Sequence, residues 1–192
     1  MHRSLLVAAV ATGMMITGCV ADPPSRQTAK VSAAERFAGY AGVVNETGNF
    51  LAVAVLDGKA RAFVCDEQDE AWFEGSVAKE GGMVTLLAAK DRKPAGFFNS
   101  LQGEGTFWIE GRLRTFKAAP VDKTAGLYRA QSANGQLVAG WVLLPNGDQV
   151  GVATRNGVNQ PAPPIKPGQA TVTIGGEQVP LKSGLQQLSS GG

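Results

Sequence analysis

The chain has 192 residues, 18 of them basic and 16 acidic, with a formal net charge of +2 and 44% hydrophobic residues. That balance excludes an electrostatic nucleic-acid binder, which needs a basic stripe to displace counterions. The length suits one domain with tails, and abundant Gly in Asp-Gly, Asn-Gly and Gly-Gly pairs between apolar runs is the composition of tight β turns.

Met1, His2 and Arg3 give a short basic start, and Leu5 to Met15 form an apolar run too short for a comfortable membrane span. Ile16-Thr17-Gly18-Cys19 follows: an aliphatic residue, a small residue, glycine, then cysteine. This resembles the bacterial lipobox. The resemblance implies a signal peptide over residues 1–18, cleavage between Gly18 and Cys19, and fatty acyl chains such as palmitate carried by Cys19. Ala11 and Gly13 would make a poor site for ordinary signal cleavage. Each buried methylene contributes about 0.8 kcal/mol, so two or three chains give stable anchorage.

Two exclusions follow. The single histidine is His2, which leaves with the leader. Without imidazole there is no Ser-His-Asp or Cys-His nucleophile and no His-ligated zinc or copper. With Cys19 acylated, Cys65 has no partner in the chain, so the fold must stand on its apolar core.

Residues 19–31 read as the lipidated start and a polar tether, with Asp22-Pro23-Pro24 resisting helix and strand alike. Fully extended, it reaches about 40 Å at ~3.3–3.6 Å per residue. Ser32-Ala33-Ala34-Glu35 matches a capping box, and a short helix to about Ala38 is the expectation.

From Tyr40 to about Arg155 the pattern is β. Phe50–Leu56, Asp57-Gly58 and Lys59–Cys65 read as a hairpin with Val55 opposite Ala60, Val53 opposite Ala62 and Leu51 opposite Val64. Those six side chains share the core face, and Ala52, Ala54, Lys59 and Arg61 lie opposite. Further hairpins are expected from Ala71–Lys79 through Glu80-Gly81-Gly82 into Met83–Lys90, and from Thr106–Ile109 through Glu110-Gly111 into Arg112–Lys117. Leu127–Ala130 turns near Asn134-Gly135 into Gln136–Leu144, which turns at Asn146-Gly147 into Gln149–Thr154. Across that last turn Leu143 is expected to meet Val150 and Trp141 to meet Val152. The other face, with Val138, Val142 and Leu144, is apolar too and needs a cover, from the C-terminal segment or a protein partner.

The expectation is an all-β domain: an antiparallel up-and-down meander over residues 32–155, closed or nearly closed into a barrel of about eight to ten strands, with a β-sandwich as the alternative. Residues 156–192 add the Pro-rich run Gln160–Pro167, a hairpin of Ala170–Ile174 and Glu177–Leu181 around Gly175-Gly176, and a fraying Ser189–Gly192. Pro180 is expected to put its strand at an edge.

Few residues offer chemistry. Cys65 is followed by Asp66, Glu67, Asp69 and Glu70, and negative neighbours disfavour a thiolate. It reads as a buried strand-end residue facing Phe50, with an intermolecular disulfide as the alternative. The Asp66–Glu70 run lacks the order of a calcium loop and reads as a solvated turn. Ser76-Val77-Ala78-Lys79 matches the Ser-x-x-Lys string of penicillin-recognising enzymes, but in a strand those two side chains point to opposite faces. Trp72, Trp108, Trp141, Tyr40, Tyr128 and Phe107 read first as core filler and second as a cavity lining.

Three stretches carry a family resemblance: Phe63–Asp66 with Ala71–Gly75, Ala125–Ala130, and Gly140–Val152. With the Pro-rich end and Thr171–Gly175, the chain over about residues 40–180 resembles uncharacterised secreted or lipid-anchored β-domain proteins of actinobacteria. The resemblance implies a shared fold and a location on the outer face of the plasma membrane or in the cell envelope, with no catalytic assignment. The functional expectation is a non-enzymatic envelope module held to the membrane by its lipid, binding an envelope protein partner or serving a structural role. A carrier of a small apolar ligand in a barrel cavity is the alternative, and a carboxylate-only hydrolase using Glu74, Glu104 or Glu110 stands behind both. No catalytic, cofactor or metal residue is assigned, and no cofactor is expected.

Overall fold

Alternating apolar residues interrupted by Asp57-Gly58 give the clearest element. The computed structural model describes residues 37–78, 82–109, 111–122 and 124–190. β2 (Phe50–Leu56) and β3 (Lys59–Cys65) pair Val55 with Ala60, Val53 with Ala62 and Leu51 with Val64, the register read from the sequence. Asp57 and Gly58 have φ of 49° and 79°. A two-residue turn with both φ positive matches the right-handed twist of its strands.

β1 (Ala38–Val44) precedes this hairpin. β4 (Glu70–Val77), β5 (Met83–Ala88), β6 (Pro94–Asn99), β7 (Glu104–Ile109) and β8 (Arg112–Val121) follow it. Each strand pairs antiparallel with the next, and β8 returns to β1, so eight strands close into a barrel. The expected barrel is present, not a sandwich. β6 has no counterpart in the sequence reading, because Pro94, Gly96 and Asn99 are poor strand formers. Side chains fill the barrel's middle. Tyr40, Phe98, Phe116, Phe107 and Phe73 run as a chain of ring contacts with centroids 4.9, 5.6, 5.2 and 5.7 Å apart.

The later strands leave the barrel. β9 (Gly126–Gln131), β10 (Leu137–Leu143), β11 (Gln149–Arg155), β12 (Val158–Pro161), β13 (Thr171–Ile174) and β14 (Glu177–Ser183) make a second, curled sheet in the order β12-β11-β10-β9-β14-β13. The single meander expected through Arg155 is thus divided at Val121 between barrel and sheet. The expected edge position of Pro180 is also corrected. Pro180 pairs with Thr171 at the end of β13, and β9 takes over from Leu181, so its missing N–H falls where one ladder gives way to the other.

A second correction concerns register. Leu143 pairs with Gln149, Val142 with Val150 and Trp141 with Gly151, one residue away from the expected pairing. The connection is wider than Asn146-Gly147 alone: the Leu144 N–H donates to the Asp148 carbonyl at 2.8 Å. A one-residue slip sends side chains to the opposite face. Trp141 and Leu143 therefore face a core shared with Ile165, Val172 and Val179. Val142 and Val152 face the barrel, where with Leu127 they meet Ala41, Ala52, Ala54 and Phe63. The outward alanines of β1 and β2 let the sheet approach closely. The apolar second face is thus covered by the barrel, while the C-terminal hairpin covers the first.

A short helix, α1 (Gly184–Ser189), follows β14 in a stretch to which the sequence reading gave no element; of the expected fraying end Ser189–Gly192, Ser189 closes the helix and Gly191 and Gly192 lie outside the described residues. The Ser183 side chain accepts from the Gln186 N–H, and the Ser183 N–H donates to Gln186 Oε1 at 2.8 Å. This capping box fixes the first turn, and Leu188 joins the seam between barrel and sheet. Gly18 and Cys19, the tether, the helix expected at Ser32, and Lys79, Glu80, Gly81 and Glu110 lie outside the described residues.

Candidate functional site

Alternation along the strands decides what enters the barrel. Val64 on β3, Ala71 and Phe73 on β4, and Phe107 and Ile109 on β7 all face inward. At the end of the barrel where β1, β3, β5 and β7 run out, the filling stops above Phe73 and Phe107. A hollow opens there, walled by Val44, Val64, Ala71, Ala88 and Ile109, and with its rim and its extension over the lip it measures about 800 Å³. That volume lies in the range of small-molecule sites, about 300–1,000 Å³. Thr47, Asn49, Asp66, Asp69, Lys90 and Trp108 form its rim.

One cation stands inside this mouth. Arg114 on β8 pairs directly with Phe107 across the β7–β8 ladder, so both side chains share the barrel's inner face. Its side chain is 22% exposed, and its guanidinium lies 3.3 Å from a carboxylate oxygen of Glu46, a loop residue whose side chain is 81% exposed.

Over the lip the hollow continues along outward-facing Glu70, Trp72 and, from the second sheet, Arg129. Trp72 packs at a tilt of 36° against Phe63, ring centroids 4.2 Å apart, and the Arg129 guanidinium lies 4.6 Å from the Trp72 ring centroid. Burial and the neighbouring Arg61 push the Arg129 pKa below its ordinary value, against the pull of Glu70 and Glu74. Gly140 on β10 makes this packing fit: a Cβ there would stand 2.5 Å from both Phe63 and Trp72.

Glu70 bridges the two halves. Its carboxylate accepts from Trp72 Nε1 at 3.3 Å and lies 2.7 Å from the Thr154 hydroxyl on β11. That hydroxyl is also 2.8 Å from Asn159 Oδ1, so one proton serves two acceptors. Burial raises the Glu70 pKa, opposed by the bonds from Thr154 and Trp72 and by Arg129. A protonated Glu70 donates to Thr154 and frees that hydroxyl for Asn159. The raised folded-state value means the native protein keeps a proton that the unfolded chain has already released. Between the ordinary carboxylate value and the raised one, stability therefore falls as pH rises. Melting scans across the acid-to-neutral range should show that decline, and Glu70→Gln should flatten it. An unchanged slope in the variant would remove Glu70 as its source.

Cys65 faces Phe50 across β2–β3, as expected, and is 1% exposed. Burial first, then Glu70 and Asp66, push its thiol far above the ordinary range. The Asp66 carboxylate organises its own turn, accepting from the Gln68 and Asp69 N–H groups at 2.7 Å each and from Asn49. Among the described residues no three His, Cys, Asp or Glu side chains gather as a metal site requires. Ser76 lies on β4.

Glu74 pairs with Arg61 and Arg92, and Glu104 with Lys117. Neither acid lines the hollow. Trp141, Tyr40 and Tyr128 are core, Phe107 is core and also floors the hollow, and Trp72 and Trp108 line it farther out. Sequence reasoning missed Arg114. The signal was present in the two-residue spacing at Glu110-Gly111, which by itself pairs Phe107 with Arg114.

No family model, curated protein or solved structure matches this chain. The reading of the site therefore rests on its own geometry: an apolar cup in a filled barrel, a charged rim, and one inward-facing guanidinium.

Proposed function

We propose that this protein is a lipid-anchored, non-enzymatic binding module of the cell envelope, and that the open end of its barrel seats a small ligand. The observation that carries the reading is the hollow of about 800 Å³ that opens at one end of the barrel and runs over its lip, above a middle packed with aromatic rings. An open concavity of this size with a partly apolar lining is the usual form of a small-molecule site. The lipobox at Ile16–Cys19 and the resemblance to secreted actinobacterial β-domain proteins support the location.

Mass spectrometry of the chain isolated from its native envelope tests both parts. The expected mature chain begins at Cys19 with acyl mass added, and denaturation releases a small molecule in near-stoichiometric amount. An unacylated chain would overturn the anchor, and an empty one the seat.

The outer barrel face favours a partner of a second kind. Met83, Phe97, Trp108 and Leu113 on β5–β8 are 40%, 53%, 55% and 53% exposed. This face lies away from the second sheet, which packs on β1–β3. Exposed apolar surface of this kind is where an envelope protein would dock.

A further inference from the structure

Resting on the binding-module reading, we infer that the ligand is an anion-headed amphiphile: an apolar chain or ring in the cup, with a carboxylate or phosphate monoester on the Arg114 guanidinium. The cup's walls and floor are apolar, formed by Val44, Val64, Ala71, Phe73, Phe107 and Ile109. Arg114 projects from the wall above Phe107, on the inner face of the barrel. A charge in such a place is costly unless paired. Its partner among the described residues is Glu46, on an exposed loop and 81% open to solvent. A ligand anion entering the mouth replaces that weak, water-screened contact with a more enclosed one, and guanidinium matches planar or tetrahedral oxyanions in a two-bonded fork.

The rim's carboxylates agree with this placement, and Lys90, exposed after β5, is a second rim cation. The acidic turn holding Asp66 and Asp69 follows β3, whereas Arg114 is on β8. In the ring β8-β1-β2-β3 these sites are three strands apart, in an eight-strand circle where four is the farthest. The carboxylates therefore sit nearly across the mouth from the guanidinium. They disfavour an anion on the β3–β4 side, and Arg114, the rim cation that faces into the barrel beside Phe107, is the seat that the cup can reach. Cup and cation together select an amphiphile over a wholly apolar molecule or a small inorganic anion.

The test is a native mass spectrometry titration of the full processed chain, released from a non-ionic detergent, with palmitate, methyl palmitate and palmitoyl lysophosphatidic acid. The unsubstituted chain should hold palmitate about tenfold more tightly than its ester, the scale of one charged hydrogen-bonded contact. R114Q should bring palmitate down to the ester's level and leave the ester unchanged, while R114K keeps part of the preference. E46Q, at a side chain 81% exposed to solvent, should tighten palmitate about two- to threefold by removing the competing carboxylate.

Lysophosphatidic acid binding more tightly than palmitate, and losing that advantage in R114Q, would assign the head to a lipid phosphate rather than a free fatty acid. Equal binding of acid and ester, or a preference untouched by both R114Q and E46Q, would overturn the assignment of the head while leaving the cup as a seat for apolar molecules. Failure of all three probes to bind the unsubstituted chain would overturn the seat as well.

Discussion

Gly42→Ala should open the barrel at its closing seam. Gly42 on β1 lies opposite Ala118 on β8. A Cβ at this position would overlap the Lys117 carbonyl oxygen and stand 2.8 Å from the Ala118 Cα. Both obstacles are backbone, so no rotamer change relieves them. The strands must separate, and separation breaks the ladder that closes the ring. Overpacking in a core typically costs 1–3 kcal/mol where side chains can yield; here the cost should exceed about 3 kcal/mol. That corresponds to a melting temperature lower by roughly 6–12 °C for a domain of this size. Gly39→Ala on the same strand is the control, since its nearest neighbour is a Val121 methyl at 3.0 Å. If the two variants melt together, the close approach of β1 and β8 at Gly42 is not as described.

Trp141→Ala should strip the second sheet of its centre. Trp141 is fully buried, and its Nε1 donates to the Pro163 carbonyl at 2.9 Å, tying the Pro-rich segment to β10. Its ring lies over Gly151, where a Cβ would stand 2.5 Å from Nε1. Truncating a buried aromatic costs about 3–5 kcal/mol, and the Pro163 carbonyl loses its partner besides. Trp141→Phe keeps much of the volume and should cost roughly half as much. Denaturant unfolding gives the totals, and amide exchange locates the damage. The core around Trp141 is separate from the barrel's interior, so protection should fall in β9–β14 before β1–β8. A uniform loss would show the two cores to be one cooperative unit.

What the sequence disclosed divides along physical lines. The β2–β3 hairpin was legible to the residue because Asp57-Gly58 imposes a two-residue turn and apolar alternation names the core face. The β10–β11 hairpin carried the same kind of signal in Asn146-Gly147, yet its register is displaced. Only Gly147 has positive φ there, at 93°, and the connection is closed farther out at Leu144 and Asp148. The helix α1 was readable in Ser183-Gly184-Leu185-Gln186, a capping box hidden by the Gly and Ser around it.

The burial of Ala52 and Ala54 could not be read, because alternation assigns faces but does not say that both will be covered. The cup was illegible for a related reason. Its walls come from β1, β3, β4, β5 and β7, and only closure of the ring brings Val44, Ala88 and Ile109 around one opening. Trp72 and Trp108 read as filler by type, and their place at the mouth is a property of the assembled barrel.

The return of α1 to the barrel sets an order of events for a chain that emerges amino terminus first. The barrel can shut once β8 reaches β1, whereas Gln187, 126 positions after Arg61, meets its guanidinium at 3.4 Å only after β9–β14 have also emerged. Until then the bond-forming side of β9 that β14 will take stands open, as does the side of Ala54 that Gly184 will cover. Such an unpaired strand is a template for a neighbouring molecule. The last hairpin and helix thus act as a latch, and a nascent copy delayed before they arrive is the species most prone to join another of its kind.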